Sequence, residues 1–148
     1  MNDFKIPDYF EPVVGWRAWH LSLVNHDLLS LNKPTIWPER KALNAMCYAV
    51  KQYGLPVRLA EPIHPLVPAP VEKCGCGIWA MKTKNLLTRY LSSWYDGNQI
   101  FVIGEVKLWG DIIQGEKGWR AQKAYPVSFE PHQGVSKKDI EELKYRFL

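Results

Sequence analysis

The chain has 148 residues, 47% of them apolar and 23% charged, a composition that excludes intrinsic disorder and suffices to bury a core without disulfides. Its formal charge of +4 permits attraction to phosphate without demanding it. No run approaches the roughly 18 apolar residues of a membrane span, and the opening MNDFKIPDYFEPVVGW carries Asp3, Asp8 and Glu11 with no basic segment before an apolar one. The expectation is a single cytoplasmic domain over residues 1–148, with no membrane partner.

From the amino terminus, VVGWRAWHLSLV at 13–24 alternates, with Trp16, Ala18 and His20 on one side and Arg17, Trp19 and Leu21 on the other, which predicts a strand. LLSLN predicts a short second strand, turned back at Asn25 to Asp27. In PERKALNAMCYAVKQYG, at 38–54, Leu43, Met46, Ala49, Val50 and Tyr53 recur at three- and four-residue intervals between Pro38 and Gly54, predicting a helix. LPVRLAEPIHPLVPAPVEK holds too many prolines for helix or interior strand and reads as an extended, packed connection.

KNLLTRYLSSWYDGN sets Leu87, Tyr90, Leu91 and Trp94 on one helical face, and DGN stops it. IFVIGEVKLWGDIIQ is a β-branched run with Gly104 and Gly110 as expected bulges or bends, joined by the turn GEKG to a further alternating strand, GWRAQKAYPVSFEP. SKKDIEELKYRFL opens with Ser136 three residues before Asp139, a capping box with Asp in place of Glu, and stripes Ile140, Leu143 and Phe147. Five or six strands with short late turns mean antiparallel sheet. The predicted class is α+β, a sheet curled into a half-open barrel with two or three helices.

Three constellations could carry chemistry. Cys47, His64, Cys74 and Cys76 have the inventory of a tetrahedral zinc site, and C-x-C can present both sulfurs on one side of an extended strand. Ordinary core packing of the cysteines stands beside that reading, since unpaired cysteine is among the most buried residue types. A cytosolic setting and an odd cysteine count disfavour a disulfide. A thiol nucleophile at Cys74 or Cys76, served by His64 or His20 and oriented by Glu72 or Glu61, is a weaker alternative, because nucleophile and phosphate-loop motifs are missing. The third constellation is aromatic and basic. Trp16, Arg17, Trp19, Trp109, Trp119, Arg120 and Lys123 lie on strands expected to be neighbours, with Lys82, Lys84 and Arg89 just after the cysteine pair, as single-stranded nucleic acid binding would use them. Alternation sends half of those rings inward, so a core role competes with a binding one.

The strings GWRAW, H-P before CGCGIWA, IGEVKLWG and GWRAQKAYP resemble those of a set of small uncharacterised bacterial and bacteriophage proteins. The resemblance covers most of the chain and implies a phage or mobile-element context without an activity. The sequence thus leads to a noncatalytic, zinc-stabilised module that binds nucleic acid. A protein-interaction factor, such as a phage inhibitor of a host enzyme, is the alternative, and a cysteine-dependent enzyme the third reading.

Overall fold

The structure, a computed structural model, describes residues 4–6, 12–31, 35–46, 69–71, 74–93 and 100–148. Within these run β1 (Phe4–Ile6), β2 (Val13–Leu21), β3 (Leu28–Leu29), β4 (Leu43–Asn44), β5 (Ile78–Met81), α1 (Lys84–Ser92), β6 (Phe101–Gln114), β7 (Gly118–Pro126), β8 (Glu130–Gln133) and α2 (Lys137–Phe147). β6 is the spine. Along one of its edges β2 and then β1 pair antiparallel to it in line, from His20 opposite Phe101 to Phe4 opposite Gln114. Its other edge carries β8 and then β7, from Phe101 opposite Gln133 to Gln114 opposite Trp119.

β5 bonds to β7 on one side and to β2 on the other, so β2, β6, β7 and β5 close a four-stranded antiparallel ring. The expected α+β class with a curled antiparallel barrel is what the chain adopts, and the ring closes rather than remaining half open. Closure suits a strand as short as β5, because the strong twist of a small sheet brings its edges together and leaves fewer unpaired amides.

Alternation decides the two faces. Trp19 and Leu21 of β2, Ile78 and Ala80 of β5, Val102, Val106 and Leu108 of β6 and Ala121 of β7 point inward, and Ile140, Leu143 and Phe147 of α2 join the same core. Trp19 meets Trp37 edge-on at 5.5 Å between centroids, and Phe129 stands 5.4 Å from Trp19. The opposite face of β2 and β6 buries Ala18 and Ile103 beneath Leu87 and Leu91 of α1. α1 starts at Thr83, whose hydroxyl accepts from the Leu86 amide, and it carries its apolar positions four apart, as the sequence periodicity predicts.

The two glycines expected to bend β6 differ. Gly110 has φ +78 and sits where the β6–β7 register shifts between Trp109 and Ile112, so it is a bulge. Gly104 keeps register opposite Arg17, and what it provides is room: a Cβ there would lie 1.8 Å from the Ser128 carbonyl oxygen. The helix expected over 38–54 is overturned where the chain is described. Leu43–Asn44 form β4, with Leu43 opposite Ala124 of β7 and the Ala45 amide on the Gln122 carbonyl. An exposed sheet edge with free carbonyls wins over a weak three-and-four periodicity, as tertiary pairing commonly overrides propensity. Residues 47–54 lie outside the described residues, as does most of the proline-rich connection.

α2 is fixed at both ends. The Ser136 hydroxyl accepts from the Asp139 amide at 3.1 Å, and the Asp139 carboxylate accepts from the Ser136 amide at 2.9 Å, completing the capping box. Asp139 also meets His26 Nε2 at 3.0 Å, while Arg146 binds Glu39 and lies 3.5 Å from Asp27. The Ser136 backbone N–H, followed by His26, holds the Asp139 carboxyl below the usual carboxylate range.

Asp139→Ala is expected to cost about 1 kcal/mol of unfolding free energy at neutral pH by removing the carboxylate half of the capping box and its contact with His26. Because the folded-state pKa lies below the unfolded one, this contribution is complete above the ordinary carboxylate value and is lost as pH falls through the folded value. Thermal unfolding of both proteins across the acid range should therefore show their midpoints converging; a gap that persists undiminished in acid would contradict the assignment.

Candidate binding cleft and cysteine corner

Residues 74–77 turn the chain into β5, and Gly77 makes the turn with φ +114, packed so that a Cβ would fall 3.0 Å from Pro70 and 3.1 Å from the Arg120 Cβ. The turn exposes a row of carbonyls to the barrel wall. Arg120 of β7, opposite Trp79 in register, collects them: its Nη1 donates to the carbonyls of Val71 at 2.8 Å and Cys76 at 3.0 Å, and to that of Cys74. One nitrogen carries two hydrogens, so three oxygens share them. The Trp79 indole N–H donates to the Gly75 carbonyl at 3.1 Å, and the Trp79 ring lies 5.8 Å from the Arg120 guanidinium carbon. Between them the arginine and the indole satisfy the carbonyls of Cys74, Gly75 and Cys76.

Cys76 is 2% exposed and packs with Ala69, and its Sγ accepts from the Val71 amide at 3.3 Å. Cys74 is partly buried beside them. A nucleophile needs access to substrate, which Cys76 lacks. Among the described residues no group of three or more His, Cys, Asp or Glu side chains converges on one point. Cys47 and His64, the other two expected zinc ligands, lie outside the described residues.

Beside this corner β2 and β5 share a single register pair, Trp16 opposite Met81, and then diverge. The space between them is a cleft of about 830 Å³, within the range of small-ligand sites. Its walls come from β2, the chain after β3, β4, β5 and α1, and they are mostly apolar: Ile36, Met46, Ile78, Trp79, Leu87 and Tyr90 all contribute. Trp79 is 52% exposed at its lip.

Arg17 lines the cleft, from the inward-facing row of β2. Its Nη1 donates to the Trp79 carbonyl at 2.7 Å, its Nη2 to the Ser30 hydroxyl at 3.0 Å, and its guanidinium carbon stands 5.0 Å from the Trp37 ring centre. The Trp37 indole N–H donates to the same Ser30 oxygen at 3.0 Å. Burial lowers the Arg17 pKa to about 10, Tyr90 offsetting part of the shift, so the group remains cationic at neutral pH.

The aromatic and basic residues expected to meet nucleic acid separate into three sets. Trp16 lies half-buried on the outer face of β2 with the Lys84 amine 5.6 Å over its ring, Lys82 stands 6.0 Å over Trp119, and Arg89 is exposed in the last turn of α1. Lys84 also reaches Glu130 at 3.1 Å. Trp109 and Lys123 face each other across the β6–β7 pair, both half-buried. Trp19 and Arg120 are corrected from surface to interior. Trp19 is 0% exposed because it shares its face of β2 with Leu21, and Arg120 is 5% exposed because the carbonyls of the cysteine corner hold it. Trp79, Ser30 and Tyr90 are cleft residues that the sequence does not single out, and Trp37 supports them from the core. The alternation of IWAM was a usable signal for Trp79, since it places that ring opposite to Ile78 and Ala80.

Compared with known protein families, with curated proteins and with solved structures, the chain finds no match in any of the three.

Arg120→Met removes the donor shared by three carbonyls and should destabilise the fold by about 2–4 kcal/mol, in the range for breaking a buried charged hydrogen-bond set. Urea unfolding followed by far-UV dichroism measures this. A variant as stable as the parent would show that the corner is held by something else.

Proposed function

We propose that the chain is a noncatalytic nucleic-acid-binding module, and that single strands lie along the outer face of β5 and the start of α1. The observation that carries this reading is Trp79, half exposed at the cleft lip, with lysine-capped rings close by. Trp79 and Met81 share a face of β5, Met81 opposes Trp16, and Lys84 sits over Trp16. Exposed rings interleaved with cations suit base stacking and phosphate contact at once, and base stacking on one ring is worth about 1–3 kcal/mol. The phage or mobile-element context implied by the sequence resemblance accords with such a role.

A structural zinc ion held by Cys47, His64, Cys74 and Cys76 belongs to the same proposal. The Val71 amide donated to Cys76 Sγ supports that reading, because such a backbone contact orients a sulfur ligand. The alternative occupant of the outer face is a host protein. Ile36 and Met46, 49% and 48% exposed on the cleft walls, favour it, since an apolar anchor from a partner would cover both.

Binding of fluorescent single-stranded DNA and RNA is expected to weaken with added salt in proportion to the phosphates neutralised. Trp79→Ala should weaken binding at every salt concentration, while a double Lys82→Glu, Lys84→Glu variant should flatten the salt slope. No binding of single- or double-stranded DNA or RNA at low salt would defeat the nucleic-acid reading, and capture of one stoichiometric host protein after nuclease treatment would put the alternative in its place. Metal analysis of purified protein is expected to give about one zinc per chain, the stoichiometry of a closed four-ligand site; protein free of zinc as isolated and after incubation with zinc would remove that part.

A further inference from the structure

Arg17 is a cation on the inward row of a barrel strand, between Gly15 and Trp19. A guanidinium offers five N–H donors, and among the described residues two of these are engaged, by the Trp79 carbonyl and the Ser30 hydroxyl. Its Nε is shielded from solvent and has no acceptor among the described residues. Among the described residues no carboxylate lies within ion-pairing distance of it, whereas Arg146 has both Asp27 and Glu39. Charged groups taken out of water normally carry a counter-charge with them, and none of the described residues supplies one here.

The group is also held in place. The Ser30 oxygen, fixed by the Trp37 indole, and the Trp79 carbonyl clamp one nitrogen each, and the Trp37 ring lies against the guanidinium. A clamped fork of donors on the wall of an apolar cleft matches a bidentate acid better than a mobile side chain would. Around it, Ile36, Met46, Trp79, Leu87 and Tyr90 offer flat and apolar surface, with room of about 830 Å³.

We propose that the cleft between β2 and β5 binds an organic oxyanion, a carboxylate or phosphate monoester carried on a flat apolar ring, with the acid against Arg17 and the ring against Trp79. This goes beyond the nucleic-acid reading and does not rest on it: a chain that binds no polymer and still takes the acid loses the first reading and keeps this one. A free aromatic acid and a nucleotide share the chemistry, and the two arms of the experiment tell them apart.

Tryptophan fluorescence is titrated with 1-naphthoate against its neutral isostere 1-naphthamide, and separately with adenosine 5′-monophosphate against adenosine. The acid member of at least one pair is expected to bind tenfold or more tightly than its neutral partner, and the pair with the larger ratio identifies the source. Arg17→Met should erase that preference by weakening the acid while the neutral isostere binds as before; an arginine that only supports the fold would, when replaced, weaken both together and keep the preference. Should Arg17→Met fail to fold, the Arg17 Nε–H proton resonance of the unmodified protein serves instead, shifting with the acid and not with the isostere. Equal affinity for acid and neutral forms, no binding of either acid at millimolar concentration, a preference that survives Arg17→Met, or an unmoved Nε–H resonance would each overturn the proposal.

Discussion

Closure of the barrel passes through β5, and that strand has only four residues with which to do it. On one side it makes four register pairs with β7, from Ile78 opposite Ala121 to Met81 opposite Gly118; on the other it makes one with β2. The deficit on the β2 side is covered by side chains rather than by ladder bonds. Arg17 reaches across the gap to the Trp79 carbonyl, so an arginine replaces backbone pairing at the point where the strands part. The cleft exists because the ladder stops there. A longer β5 would zip the gap shut and leave no cavity, which ties the shape of the site to the length of a single strand.

The two inner arginines solve related problems in different ways. Arg120 enters the wall from β7 and is surrounded by carbonyls of the turn that precedes β5, so its charge is spread over oxygen dipoles and contributes to order in the corner. Arg17 enters from β2 and meets one carbonyl, one hydroxyl and one aromatic face. Trp79 connects the two. Its ring lies beside Arg120, its indole N–H holds Gly75 and its carbonyl holds Arg17, so the cysteine corner and the cleft wall are parts of one network. The CGCG stretch cannot be separated mechanically from the cleft beside it.

Periodicity made much of this fold readable. β2, β6, β7, α1 and α2 follow from alternation or from three-and-four spacing, and the Ser136–Asp139 capping box was visible as letters. Alternation also placed Arg17 with Trp19 and Leu21, opposite Trp16 and Ala18. It could not say which of those faces was inside, because a sheet of this size buries parts of both: one against its own interior and one beneath α1. That ambiguity makes Trp19 and Arg120 look like surface residues in the sequence, and it hides the placing of Arg17 on the wall of a cleft. β4 is illegible in the sequence for a further reason. Two residues pairing with the distant Ala124 and Lys123 leave no local pattern, only a position on a sheet edge.

The tandem arrangement along β6 carries a consequence for the order in which the molecule is assembled. β2 pairs locally with β3 at its end, but its long ladder waits for β6, roughly 80 to 95 residues further along the chain, and β1 waits longer still. The β6–β7 hairpin, by contrast, needs only a short turn at Gly115–Gly118. During synthesis from the amino terminus, the segment holding Trp16 and Trp19 is therefore made early and shielded late. The newborn chain carries an adhesive, tryptophan-rich strand until its carboxyl-terminal half arrives, and the speed of hairpin formation there sets how long that hazard lasts.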